Sequence, residues 1–251
     1  MSSQPAGPVR MPNRLTAVRT APVELALLAG FGLRGGGLPV RLPPAGQRLA
    51  AYVALQDRPV RRSQVAFALW GEGAGALRTA LWRVGHACPG LIDATATHVS
   101  LGRDVAVDVL DGIRFSRTIT NTSADMLADG ELVLRCLSAD LLPDWCDDWL
   151  VPARERWRQL RLHALEALAM RFAAAGRHGL AVEAALTAIA GDALRESAHR
   201  CLIRVHLMEG NRAEAMRAYL RLCRLLDREL GVEPGADVRA LVAHLPVVRK
   251  P

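Results

Sequence analysis

A chain of 251 residues, 51% hydrophobic and carrying a net charge of +7, has room for two domains with separate cores and is too apolar to be disordered throughout. No apolar run approaches the length of a membrane span, and five scattered cysteines without a C-x-x-C pair exclude a disulfide or zinc framework. The charge is unevenly placed: residues 1–103 hold twelve arginines against Glu24, Asp57, Glu72 and Asp93, a balance of +8, while the remainder stands at −1. Such a localised positive field suits a polyanion, nucleic acid first of all.

Residues 1–22 are polar and proline-rich with no apolar signal core, so they are expected to form a flexible tail on a cytoplasmic protein. Next comes LALLAGFGLRGGGLPVRL (25–42), in which Gly30, Gly32 and Gly35 follow a strand-like run with dinucleotide-loop spacing. Asp57 even lies where such a site keeps its ribose-binding acid. That loop needs a helix starting at its third glycine, so that free N–H groups meet the pyrophosphate. Gly36, Gly37, Pro39, Pro43 and Pro44 forbid one. The glycines are therefore read as turns joining short strands, and no cofactor is expected.

Three helices follow, at 45–56, 61–70 and 75–88, then two short strands folded about Ala96-Thr97, then VAVDV (105–109). Strands, three helices and a terminal hairpin in about 90 residues form the pattern of a winged helix-turn-helix. Along 75–88, Leu77, Leu81, Val84 and Cys88 share one face and should be buried. Thr79, Trp82, Arg83 and His86 then project from the other side with Arg78 on the flank, a set suited to base edges and phosphates. Arg61 and Arg62 open the preceding helix, where the dipole already favours a phosphate. His98 and Arg103 are placed at the tip and base of the hairpin, within reach of an adjacent groove or backbone.

Residues 110–130 are turn-rich and read as a connector. Beyond them the chain is nearly all helix-forming, and AAAGRHGLAVEAAL (173–186) aligns with LMEGNRAEAMRAYL (207–220) at an offset of 34. Gly176, Ala181, Ala184 and Leu186 recur as Gly210, Ala215, Ala218 and Leu220, a tetratricopeptide-like period. In LLPDWCDDWLVPARERWRQL (141–160), Trp145, Trp149 and Trp157 are expected to anchor a loop onto the helical array. Asp144, Asp147 and Asp148 lack calcium-loop spacing and are expected to cap or to pair with Arg154, Arg156 and Arg158. The histidines are dispersed, and no phosphate loop, nucleophile elbow or H-E-x-x-H is present, so no catalytic or metal site is expected.

QRLAAYVAL, PVRRSQVAFALWG and ALRTALWRV, with D-W-L-x-x-x-R (Asp148 to Arg154), L-R-E-x-A-H (Leu194 to His199) and L-G-V-E-P (Leu230 to Pro234), resemble the Streptomyces antibiotic regulatory proteins over about residues 23–244. The expected fold is mainly α with a small β component. A flexible tail (1–22) precedes a winged helix-turn-helix (23–110) and an α-helical, tetratricopeptide-like bacterial transcriptional activation domain (111–251). The resemblance implies a transcription factor, not an enzyme, whose recognition helix enters the major groove of promoter DNA. It further implies RNA polymerase contact, dimer formation and a secondary-metabolite gene cluster as target. The chain departs from that pattern in a shorter loop at 71–74, and in Gly85 and His86 where relatives often carry arginine. Two rival readings remain: an interaction scaffold with a winged helix that no longer binds DNA, and a nucleotide-dependent enzyme at Gly30–Gly35.

Overall fold

A computed structural model describes residues 23–56, 58–71, 74–119 and 130–245. The expected tail (1–22), Asp57, Glu72-Gly73 and most of the turn-rich connector lie outside the described residues. Two compact units are present. One runs up to Arg114 and takes in Ala139–Trp157; the other holds Phe115–Ser138 and resumes at Arg158.

The first unit opens on β1 (Val23–Ala26), β2 (Gly32–Gly35) and β3 (Leu38–Pro39), an antiparallel meander, with β7 (Val105–Val107) parallel to β1 on its other side. Gly36 and Gly37, at φ +56° and +84°, make the two-residue turn between β2 and β3, a left-handed pair that glycine alone adopts without strain. Gly32 and Gly35 lie inside β2, and no helix starts at the third glycine. The dinucleotide geometry is therefore missing where the spacing suggested it.

Pro44 opens α1 (Pro44–Ala54), where a missing N–H costs nothing, and Leu49, Ala50 and Val53 carry it into the core. A two-residue strand, β4 (Val60–Arg61), leads into α2 (Arg62–Trp70), followed by α3 (Ala74–Ala87). The hairpin of β5 (Ile92–Ala94) and β6 (His98–Leu101) pairs with β4 in order β4-β6-β5. Three helices and a hairpin thus form a winged helix-turn-helix, within two residues of the boundaries read from the sequence. α4 (Asp108–Ile119) begins where β7 ends. The Asp108 carboxylate accepts from the N–H groups of Leu27 (2.9 Å), Leu28 (3.0 Å) and Val109. Burial pushes its pKa up to about 6, although these bonds oppose the rise.

The segment Ala139–Trp157 does not do what its tryptophans suggested. Leu141 bridges to Leu28, the Leu142 N–H donates to Leu27 (2.9 Å), Trp145 stacks on Phe31 at 6.0 Å, and Trp149 meets Tyr52 edge-on at 5.3 Å. These anchors fasten the loop to the sheet and α1 of the winged unit, not to the helical array. The acid–arginine pairing also differs from expectation. Asp147 takes Arg48 and the Trp149 indole N–H (3.1 Å), while Arg158 takes Asp192 (3.0 Å). Arg154 caps the carbonyls of Leu141 (3.0 Å), Leu142 and Trp145 (2.7 Å). Those carbonyls turn inward because Leu142, wholly buried, sits at φ +44°, and a guanidinium fork is the group that satisfies several at once.

In the second unit α5 (Gly130–Ser138) precedes the long α6 (Val151–Ala174), which enters this unit at Arg158. Then come α7 (His178–Gly191), α8 (Glu196–Met208), α9 (Arg212–Leu230) and α10 (Ala236–Val242). The 34-residue offset is structural. Gly176 and Gly210 share a left-handed φ (+73° and +83°), and the turns close with matching bonds, Arg177 N–H to Phe172 and Asn211 N–H to His206, both 2.8 Å. Ala181 and Ala184, like Ala215 and Ala218, are fully buried, which lets the paired helices approach closely.

Candidate nucleic-acid interface

α3 is amphipathic in the sense expected. Leu77, Ala80, Val84 and Cys88 are buried, and Leu81 is half-buried at the edge of that face. Arg78, Thr79, Trp82, Arg83 and His86 are exposed on the other. Trp82 is 69% exposed, a large apolar surface left in water, and its ring stacks on His86 one turn away (centroids 5.6 Å apart, planes 10° apart). The stack sets the two rings nearly parallel on the exposed face. Thr79 is back-bonded to the Gly75 carbonyl (3.2 Å), so its hydroxyl proton is committed while its lone pairs remain outward.

The hairpin supplies the other positions, and here the structure separates them. Arg61 of β4 is exposed and sits opposite His98 of β6, so strand register brings these two together at the hairpin tip. Arg62 is otherwise engaged: its N–H donates to Thr97 (2.9 Å) and its guanidinium to the Thr95 carbonyl (3.1 Å). It braces the tip more than it offers a phosphate hand. His98 is half-buried, with its ring nitrogen 2.9 Å from the Thr97 hydroxyl. Arg103 is exposed in the turn after β6, at the hairpin base. Five residues separate it from His98, at most roughly 17 Å of extended chain.

Arg61, Arg78, Arg83 and Arg103 make no side-chain hydrogen bond or ion pair among the described residues. These four exposed guanidinium groups lie on one small unit, an arrangement able to attract a polyanion. Among the described residues no cluster of metal-ligating side chains occurs, and no helix is long and apolar enough to cross a membrane.

Residues 132–245 match the model of the bacterial transcriptional activator domain. That part of the chain, somewhat less than half of it, is similar to the bacterial transcriptional activator domain. The whole fold is similar to that of Mycobacterium tuberculosis EmbR, solved in complex with a low affinity phosphopeptide (TM-score 0.70, 22% identity, 90% of this chain covered). The chain spans 66% of that EmbR chain. Comparison with curated proteins finds no match. The activator-domain match and the shared architecture bear out the resemblance to the Streptomyces antibiotic regulatory proteins.

Two features escaped sequence reasoning. Phe67 of α2 is 71% exposed, although it falls in an otherwise apolar run. At 100° per residue it leaves the Val65–Leu69 face, so a helical wheel could have found it. The docking of Trp145 and Trp149 on the winged unit had no such signal, since the Arg48–Asp147 ion pair joins residues 99 apart in sequence.

Proposed function

We propose that the protein is a sequence-specific DNA-binding transcriptional activator. α3 lies in the major groove of promoter DNA through Arg78, Thr79, Trp82, Arg83 and His86. Arg61 and His98 reach an adjacent backbone from the hairpin, and Arg103 adds a phosphate contact from its base. DNA reading is assigned to residues 23–110 and activation to residues 111–251, whose activator domain contacts RNA polymerase and supports dimer formation. The target is a gene cluster of the secondary-metabolite kind, and the site of action is the cytoplasm. The observation that carries this reading is the outward face of α3, where a 69% exposed tryptophan lies among arginines that have no partner among the described residues.

The test is binding of the full chain to DNA fragments from upstream of its own and neighbouring genes, across a salt series. If Arg61, Arg78, Arg83 and Arg103 each neutralise one phosphate, log K falls with log salt at a slope of about −3.6. Between 50 and 200 mM salt the affinity then drops roughly 150-fold. Absence of any salt-sensitive shift with every fragment replaces this reading with the interaction scaffold.

A further inference from the structure

In α9, Arg221, Arg224 and Arg228 follow one another at three and four residues and so lie along one stripe of the helix. They border a cavity of about 440 Å³ within the helical unit. Its apolar wall is Leu186 and Ile189 of α7, Leu202 of α8, and Ala218 and Leu225 of α9, with His199 beside them. Among the described residues no carboxylate lines it.

The cations are under-used. Arg221 makes no hydrogen bond or ion pair among the described residues. Arg224 and Arg228 engage only their Nε atoms, with the Leu220 carbonyl (3.2 Å) and Glu229 (2.8 Å). Their terminal nitrogens have no hydrogen-bonded partner among the described residues. Burial lowers the pKa of His199 and Arg221 lowers it further, against the hydrogen bond between its Nε2 and the Ala193 carbonyl (2.9 Å) and the charge of Glu196, which raise it. Leu186, meanwhile, leaves 48% of its surface to solvent at the mouth.

An apolar pocket rimmed by three arginines and no acid has a definite complement. Guanidinium forks take carboxylates in two-point contact, and the leucine wall takes a hydrocarbon or aromatic body. The volume is that of a small-molecule site. It is not the extended row of subsites that a peptide strand or helix requires. We infer that the groove formed by α7, α8 and α9 binds a small amphiphilic carboxylate. The apolar body rests on Leu186, Ile189, Leu202 and Leu225, and the carboxylate bridges Arg221 and Arg224. The site stands independently of the DNA reading, and its test involves no DNA.

The full chain is titrated calorimetrically with octanoate, decanoate and 4-phenylbutyrate, with 1-octanol as a neutral body and acetate as a bare head group. The expected result is saturable one-to-one binding of at least one of the three carboxylates below about 1 mM. Octanol and acetate should bind at least tenfold more weakly. Arg221→Gln, Arg224→Gln and Leu186→Gln should each weaken binding at least fivefold with unchanged circular dichroism. Should a glutamine variant lose its fold, Arg221→Lys keeps the stem and charge but removes the fork, and the same loss is expected of it. Failure of all three carboxylates to saturate, octanol binding as tightly as octanoate, or full affinity in the folded arginine variants overturns the inference.

Discussion

Arg83→Ala is the sharpest probe of the proposed recognition surface, because the structure separates its two consequences. The side chain is exposed, projects away from Leu81 and Val84, and makes no hydrogen bond or ion pair among the described residues. Truncation should therefore leave unfolding free energy within about 0.5 kcal/mol of wild type. Its effect on DNA depends on what it touches. As a reader of a guanine edge it contributes about 1–3 kcal/mol, so affinity for the preferred fragment should fall roughly 5- to 150-fold and discrimination at that base should relax. As a phosphate contact it should weaken all sequences alike and reduce the salt slope by about 0.9. Arg62→Ala is the internal comparison. Its loss removes the bond to Thr95 and loosens the hairpin tip, so it should cost about 0.5–1.5 kcal/mol of stability with a smaller effect on base discrimination. The assays are fluorescence anisotropy with labelled duplex over a salt series, and urea unfolding. Unchanged affinity in a folded Arg83→Ala variant, or unfolding of that variant, refutes the placement of α3.

The remaining expectations concern how the scaffold is held. Arg154→Ala strips the caps from the carbonyls of Leu141, Leu142 and Trp145, and should cost about 2–4 kcal/mol. The loss should shift tryptophan emission as Trp145 leaves Phe31, and an unshifted spectrum with unchanged stability would show the caps to be idle. For Asp108 the folded pKa of about 6 lies above the ordinary 3.8, so the native state holds the proton more tightly. Stability from this group is complete below about pH 4 and is lost as pH rises through 6, by up to about 3 kcal/mol. Asp108→Asn should flatten that part of the pH profile in urea unfolding; an identical slope contradicts it. Among the cysteines, Cys146 is exposed, whereas Cys201 is buried with its thiol pushed up to about 12. Native protein should thus label with a thiol reagent at Cys146 well before Cys201, as peptide mapping would report, and the reverse order would contradict this burial.

Local pattern was legible in the sequence where a single period governs burial. The i, i+4, i+7 apolar spacing of α3 predicted which side faces solvent, because a straight helix sorts its side chains by angle alone. The 34-residue offset likewise carried over into matched turns at Gly176 and Gly210, since each turn is built from bonds inside a six-residue window. The G-x-G-x-x-G spacing resolved the same way: residues just beyond the third glycine cannot start a helix, whatever the spacing implies.

Long-range pairing was not legible. Three tryptophans beside three acids and three arginines announced an anchored loop, but nothing in residues 141–160 says which surface receives it. Phe31, Tyr52 and Arg48 settle that, and they lie roughly a hundred positions upstream, presented by a sheet and a helix that exist only once the first unit has folded. The same holds for Arg62, which spacing puts at a helix N-terminus and packing commits to a hairpin carbonyl. It holds too for the arginines of α9, whose stripe could be read from the sequence while the leucines of α7 and α8 opposite it could not. The sequence by itself determined the helices, their faces, the repeat and the basic N-terminal half, because these follow from neighbours within a turn or two. Only the tertiary structure decided which cations are committed and which remain open to a ligand, because a charge is satisfied or left free by whatever the fold brings against it.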